Sequence, residues 1–232
     1  MWSLRPKILM LVISVLMNLQ IVHARTLDFG RLPPSVDATS WPAVEHLLNT
    51  SGVLPTAITA LFLDKRGLRN IPSWIFEKLP NVKILNLNDN HLTTLPPELS
   101  NLTKLENLQI ANNKITEIPS HISTLSNLKI LVAVHNQINK IHPNIVQLTK
   151  LKTLNLIDNA LTRLPDNVDH LIALEQLFLT QNAFVLLPKN IVKLKAHLRI
   201  LDLRDNPLGE KDEGDALGRK TLKHLFGDKV RL

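Results

Sequence analysis

The sequence lacks cysteine and tyrosine altogether and holds only 7 glycines in 232 residues. Without cysteine the chain forms no disulfide, no thiol nucleophile, no Cys-type zinc site and no iron–sulfur ligation. The few glycines include no cluster that could cradle a phosphate group. Aromatic residues make up 4% of the chain, too few to predict stacking platforms for nucleic-acid bases.

Catalytic and metal-binding motifs are missing as well. The sequence has no G-x-S-x-G elbow, no P-loop and no H-E-x-x-H pair. His91 and His135 flank two recurring asparagines without the relative placement of a metal pair, and we interpret them as surface loop residues. The acidic run at 210–215 does not follow the spacing of a calcium loop, so we interpret it as a solvated loop. We therefore expect no enzyme activity, no metal and no cofactor.

The N-terminal segment predicts export. Arg5 and Lys7 precede an apolar run over 8–22, and the small side chain of Ala24 suits a signal-peptidase site. The run is shorter than the roughly 20 residues needed to cross a bilayer, and no second run of this kind follows. We predict a cleaved signal peptide over 1–24 and a secreted chain without stable membrane insertion, the alternative being an uncleaved anchor.

Two sequons match the acceptor pattern for N-glycosylation. They are Asn49-Thr50-Ser51 and Asn101-Leu102-Thr103. In an exported chain both predict glycosylation, and chance matches in an Asn-rich and Thr-rich sequence are the alternative.

A repeat of 23 residues accounts for the abundance of leucine, 46 residues, and asparagine, 21 residues. The pattern Leu-x-x-Leu-x-Leu-x-x-Asn-x-Leu recurs with its asparagine at Asn90, Asn113, Asn136, Asn159, Asn182 and Asn206. A degenerate copy over 58–68 carries Arg66 in place of the asparagine. About seven units therefore span 58–208, which predicts a stacked repeat architecture.

Each unit contains the signals of one strand and one crossover. The Leu-x-Leu alternation points the leucines inward and the residues between them to solvent. Strands of successive units stack in parallel, which requires a crossover connection, and the Pro-led second half of each unit supplies a helical turn. The recurring asparagine lies where the chain leaves the strand, so we expect its amide to pair turn backbone in a structural Asn ladder.

The second half of each unit indicates more closely which kind of repeat this is. Leu95-Pro96-x-x-Leu99, Ile118-Pro119-x-x-Ile122 and Leu164-Pro165-x-x-Val168 share one pattern. With the Leu and Asn positions, this resembles the leucine-rich repeat family, in its short, Ras-suppressor-like class. The resemblance implies an α/β solenoid: a curved horseshoe with a parallel concave sheet and short helical or 3-10 turns on the convex side. The fourth unit has Ile141-His142-Pro143, for which we expect a local adjustment without a change of register.

Both ends of a solenoid need caps. We predict an N-terminal capping segment over 25–57, with a short helix starting near Trp41, and a C-terminal capping loop and helix over 209–232. On this C-terminal helix, Leu217, Leu222, Leu225 and Phe226 are expected to form an apolar stripe. Extracellular members of the family usually close their ends with disulfides, as the resemblance implies, and this chain has no cysteine. Export without cysteine suggests residence in a reducing place. The segments 206–209, 217–220 and 226–228 resemble the C-terminal ends of secreted repeat proteins of intracellular parasites.

The remaining candidate for function is the outward side of the sheet. The outward positions are mostly amides, with an apolar group in the middle of the arc: Ile130, Val132, Val134, Ile157 and Phe178. Exposed apolar residues rimmed by polar ones mark interaction sites, although β-branched residues also simply favour strands. Lysine and arginine look scattered, which disfavours nucleic acid as a partner.

We therefore predict a secreted, monomeric, non-enzymatic module that binds a partner protein through this face. The destination is a host cell, where it would act as an effector, or the cell surface. The alternative is a structural surface or wall component that self-associates or binds glycan through its Asn and Gln columns.

Overall fold

A computed structural model describes residues 26–28, 41, 45, 55–214 and 216–232. The predicted signal peptide over 1–24 and the first sequon at Asn49 lie outside the described residues. Most of the predicted N-terminal helix lies outside them too, apart from Trp41 and Glu45, whose backbone is helical.

One parallel sheet runs through the described units. Its nine strands lie in the order β1, β2, β3, β4, β6, β8, β9, β11, β13, and every neighbouring pair is parallel. The strands are β1 Thr26–Asp28, β2 Ala60–Phe62, β3 Ile84–Asn86, β4 Asn107–Gln109, β6 Ile130–Val132, β8 Thr153–Asn155, β9 Gln176–Phe178, β11 Ile200–Asp202 and β13 Val230–Arg231. The predicted α/β solenoid with a parallel sheet is confirmed.

The repeat places equivalent residues side by side. Leu85 pairs with Leu108, and Leu131 pairs with Leu154 in the next pair of units. Leu85, Leu108 and Leu131 are fully buried, because alternation turns every second side chain of a strand to the same face. The leucines thus form one continuous core through the stack.

Short helices cover the other side of the core. They are the α-helix α1 Trp74–Lys78 and the 3-10 turns Pro55–Ala57, Pro97–Asn101, Ser120–Thr124, Pro143–Gln147, Val168–His170 and Lys189–Ala196. In several units the proline precedes or begins the turn, where its missing N–H removes no helical hydrogen bond.

The fourth unit keeps its register despite the displaced proline. Lys140–Ile141 (β7) pairs with Glu117–Ile118 (β5), and Ile130 still pairs with Thr153 in the main sheet. His142 accepts a hydrogen bond on Nδ1 from the Asn144 N–H at 3.2 Å. The 3-10 turn Pro143–Gln147 begins 23 residues after the start of Ser120–Thr124, so its place in the unit is unchanged.

The C-terminal cap differs from the predicted loop and helix. Its helix α2 comprises Arg219–Phe226, and Leu217, which was predicted on the helix, lies instead in β12 (Ala216–Leu217), antiparallel to β10 (Leu187–Pro188). The extended backbone of Gly218 stops the helix from starting earlier. A Cβ at Gly218 would lie 2.5 Å from the Lys211 carbonyl oxygen, so glycine allows this close approach.

Candidate functional site

The outward side of the main sheet carries three columns of side chains, which we call the concave face. They occupy the positions six, four and two residues before each ladder asparagine. The first column is Ile84, Asn107, Ile130, Thr153, Gln176 and Ile200; the second is Asn86, Gln109, Val132, Asn155, Phe178 and Asp202; the third is Asn88, Ala111, Val134, Ile157, Thr180 and Arg204.

The five predicted apolar residues lie on or just after β6, β8 and β9, three neighbouring strands of the main sheet. Ile130, Val132 and Val134 are successive outward positions of one unit, and the Ile157 carbonyl accepts from the His135 N–H beside Val134 at 3.0 Å. Phe178 lies in the column of Val132, with Asn155 between them. All five side chains are half-buried. We call them the apolar cluster.

Among the described residues, three further large apolar side chains outside the predicted apolar cluster are exposed. Ile84 on the concave face is 37% exposed, while Ile172 and Val185, away from that face, are 59% and 52% exposed. Ile172 and Val185 each follow a buried core residue directly in the sequence. The period of the repeat does not indicate whether a residue at such a position is exposed or buried.

Amide side chains next to the apolar cluster are occupied by one another. Asn88 donates from Nδ2 to Gln109 Oε1 at 3.2 Å and accepts on Oδ1 from the Ala111 N–H at 2.7 Å. Asn86 Oδ1 accepts from the Asn88 N–H at 3.0 Å. Much of the hydrogen-bonding capacity of these amides is therefore used within the sheet, which weighs against a glycan site built from the Asn and Gln columns.

A buried carboxylate lies at the C-terminal end of the concave face. Asp202 accepts two hydrogen bonds from the Arg204 guanidinium, at 2.9 and 2.7 Å, and Arg231 lies 3.7 Å away. Burial alone would raise the pKa of Asp202, but the hydrogen bonds from Arg204 and Thr180, together with the charge of Arg204, outweigh it and hold that pKa below its ordinary value. Asp202 thus fixes two arginines that are each about half exposed.

The recurring asparagines form a continuous set of backbone contacts. Asn113 accepts on Oδ1 from the Leu92 N–H of the preceding unit at 3.0 Å. Its Nδ2 donates to the carbonyls of Leu87, Ile110 and Ala111 at 3.0 to 3.1 Å. Equivalent contacts are made by Asn90, Asn136, Asn159, Asn182 and Asn206.

The residue before each ladder position has a left-handed backbone. These residues are Lys65, Asp89, Asn112, His135, Asp158, Gln181 and Asp205, with φ between 52° and 57°. None of them is glycine, so the turn is held by its neighbours against an intrinsic cost for an L-residue. His135 pairs with Asp158 in this column.

Two further columns lie at the start of the strands, seven and nine residues before each ladder asparagine, and we call them the basic edge. The column at seven is Lys83, Glu106, Lys129, Lys152, Glu175 and Arg199, and the column at nine is Asn81, Lys104, Asn127, Lys150, Ala173 and His197. The scattered distribution predicted for lysine and arginine is wrong here, and a count at a fixed offset from each asparagine would have found these columns.

The acids of the basic edge are shared between cations. Glu106 lies 2.6 Å from Lys129 and 3.6 Å from Lys83, and Glu175 lies 3.1 Å from Lys152. The hydrogen bonds from Lys129 and Lys152 hold the pKa values of Glu106 and Glu175 below their usual range. Both carboxylates are therefore ionised at neutral pH.

The described part of the chain contains neither a cluster of metal ligands nor a membrane-spanning helix. No group of three His, Asp or Glu side chains there could hold a metal ion. No helix within those same residues is long and apolar enough to cross a bilayer. The second sequon residue, Asn101, is exposed at the end of its 3-10 turn.

Solved structures and curated proteins resemble this chain. A leucine-rich repeat protein of Leptospira interrogans has a TM-score of 0.60 and 28% identity, covering 76% of this chain and 49% of that one. An internalin of Listeria monocytogenes has a TM-score of 0.58 and 29% identity, covering 66% and 44%. The ectodomain of the Arabidopsis thaliana receptor kinase GASSHO1/SCHENGEN3, in complex with Casparian Strip Integrity Factor 2, has a TM-score of 0.61 and 26% identity, covering 76% and 21%.

Among curated proteins, the human NT-3 growth factor receptor is 32% identical over 82 residues, which is 35% of this chain and 10% of the receptor. The chain thus spans about a tenth of the length of the curated relatives it matches. The leucine-rich repeat model matches residues 56–115 and 126–184, about half of the chain. Leucine-rich repeat domains commonly mediate protein–protein interaction and are typically non-enzymatic scaffolds, and this chain belongs to the leucine-rich repeat family.

Proposed function

We propose that this chain is a secreted, non-enzymatic module that binds a partner protein through its concave face. The observation that carries the proposal is the apolar cluster, which spans β6, β8 and β9 within a surface of amides and charges. Apolar side chains at the centre of such a surface, surrounded by polar groups, are the arrangement found at protein interfaces.

The sheet supports the cluster rigidly. Backbone hydrogen bonds join each unit to the next, such as Ala133 N–H to the Asn155 carbonyl at 2.8 Å and Leu156 N–H to the Phe178 carbonyl at 2.9 Å. Little conformational freedom is then lost when a partner binds, which favours affinity. The GASSHO1/SCHENGEN3 ectodomain, a structural neighbour, was solved in complex with another factor.

Export and effector action are part of the proposal. Support comes from the signal-like segment over 1–24 and from an NT-3 growth factor receptor and a plant receptor ectodomain among the relatives. N-terminal sequencing of protein released from cells that express the full chain should begin at Arg25. Retention of residues 1–24 on a membrane-bound chain would contradict it.

Site-specific cross-linking tests the binding face. A photo-reactive phenylalanine analogue at Phe178 should cross-link a protein that mass spectrometry identifies, and the same analogue at Ile172 should not. With that protein purified, Val132→Glu together with Phe178→Glu should weaken its binding by about 100-fold or more.

The matched control places the same two charges elsewhere. Ile172→Glu with Val185→Glu alters two exposed apolar residues outside the concave face, so it should leave affinity within about threefold. Equal loss of affinity in both double variants, with unchanged circular dichroism, would remove the concave face as the binding site.

A further inference from the structure

The lysines of the basic edge are only partly neutralised. Lys104 donates from Nζ to the Asn81 amide oxygen at 2.6 Å, and Lys150 donates to that of Asn127 at 2.8 Å. An amide oxygen orients an ammonium group without cancelling its charge. Both lysines therefore keep their full positive charge at the surface.

The two carboxylates of the basic edge also leave a surplus of positive charge. Glu106 lies between Lys83 and Lys129, and Glu175 lies between Lys152 and Arg199, within 3.6 Å of each. Each trio therefore carries one excess positive charge. Together with Lys104 and Lys150, the basic edge carries 6 cations against 2 acids, compared with a formal charge of +7 for the whole chain.

The sheet arranges the column at seven in a regular row, one residue for each strand. The Lys129 N–H donates to the Glu106 carbonyl, and the Lys152 N–H donates to the Lys129 carbonyl, each at 2.8 Å. Successive residues of the column are thus about 4.8 Å apart, the spacing of neighbouring strands. Lys129 and Lys152 are consecutive, with no acid between them, and their side chains are 47% and 56% exposed.

We propose that the basic edge binds a linear sulfated polysaccharide. A chain with regularly repeated sulfates can place anions opposite several cations of such a row at once, and the resulting attraction depends on salt. Neither column of the edge contains phenylalanine, tyrosine or tryptophan, and its one imidazole, on His197, lies at the end of the column, so it offers no series of platforms on which successive nucleic-acid bases could stack. Nor does it contain the apolar groove that an amphipathic peptide helix requires.

This site is separate from the concave face. The cluster residues Val132 and Phe178 end the strands β6 and β9, whereas the basic edge lies where the strands begin. The double variant Val132→Gln with Phe178→Gln, which adds no charge, should therefore bind the polysaccharide at least half as well as the parent. Failure of one proposal is thereby distinguishable from failure of the other.

Fluorescence anisotropy with a labelled heparin oligosaccharide tests the proposal on unglycosylated protein. Binding should be measurable at low ionic strength and should weaken steeply with added salt. Lys129→Gln with Lys152→Gln should lower affinity about 30-fold, from roughly fivefold for each lysine lost near an anionic partner. Each glutamate keeps a second cation in this variant, Lys83 or Arg199, so the fold should be unaffected.

The control removes two charges elsewhere. Lys114 and Arg163 are exposed residues that follow the ladder asparagines, at the far ends of the strands. Lys114→Gln with Arg163→Gln should change affinity by less than about threefold, since salt screens distant charges.

Three outcomes would overturn the proposal: no binding of heparin, an equal loss of affinity in the two charge-removing double variants, or equal affinity for desulfated heparin. Tighter binding of an oligothymidylate or of phosphatidylserine vesicles would assign the edge to nucleic acid or to a membrane surface instead.

Discussion

Removing one rung of the asparagine ladder tests the physical account of the stack. In Asn113→Ala, the Leu92 N–H loses its acceptor, and three carbonyls lose the Nδ2 donor. Leu92 is 1% exposed, so water cannot readily replace the missing acceptor.

The three carbonyls contribute less to the cost of the substitution than the Leu92 N–H does, because each carbonyl keeps another hydrogen-bond donor. The Leu87 carbonyl retains Asn90 Nδ2 at 2.9 Å, the Ile110 carbonyl retains Asn136 Nδ2 at 3.0 Å, and the Ala111 carbonyl retains the Asp89 N–H at 2.9 Å. Among the four partners of the Asn113 amide, only the Leu92 N–H is then left without a hydrogen-bond partner. A buried orphaned donor costs about 1–3 kcal/mol, and with the lost amide packing we expect Asn113→Ala to cost about 2–3 kcal/mol.

Urea unfolding followed by circular dichroism measures this cost. Asn139 is exposed, so Asn139→Ala should change the free energy of unfolding by less than about 0.5 kcal/mol. Asn113→Asp keeps the acceptor but turns a second oxygen toward three carbonyls, so it should destabilise at least as much as alanine. If Asn113→Ala and Asn139→Ala have the same free energy of unfolding, the ladder does not stabilise the stack as argued.

The remaining predictions concern a carboxylate, a turn and a sequon. Because the folded-state pKa of Asp202 lies below 3.8, its stabilising effect is present above that pH and is lost as the pH falls through the folded-state value. The urea midpoint should therefore exceed that of Asp202→Asn at neutral pH, and the difference should shrink in strong acid; a constant difference would contradict the ion pair with Arg204. At Gln181, where φ is 54°, valine should cost about 1–2 kcal/mol whereas glycine should melt no lower than the parent; equal melting of the valine variant would refute the strain. Protein secreted from eukaryotic cells should lose mass on glycosidase treatment because a glycan is removed from Asn101. The Asn101→Gln variant should lose less mass than the parent. If the two proteins lose the same mass, Asn101 carries no glycan.

The sequence predicted the repeating interior well because each unit carries its own signals. The spacing of Leu85 and Leu87 specifies which face of a strand is buried, and the same spacing in every unit specifies a stack. The apolar cluster followed from the same periodicity, because the residues between buried leucines must face outward.

The ends of the stack were predicted less completely. The strands β1 and β13 extend the main sheet from both capping segments, and neither carries the Leu-x-Leu signature. They pair because the neighbouring repeat strands present unsatisfied backbone groups at each edge. Leu217, expected on a helix, pairs instead with Leu187, 30 residues earlier in the chain.

The sequence alone therefore determined the repeat, the buried leucines, the positions of the ladder asparagines and the absence of cysteine chemistry, because these depend on residue type and local spacing. Only the tertiary structure decided that Glu106 is shared between Lys83 and Lys129 and that the amides of Asn88 and Gln109 hold each other. Such contacts join residues about one repeat apart, and their geometry exists only once the units have stacked. The folded sheet thereby placed cations that look scattered along the chain in two neighbouring columns at one edge.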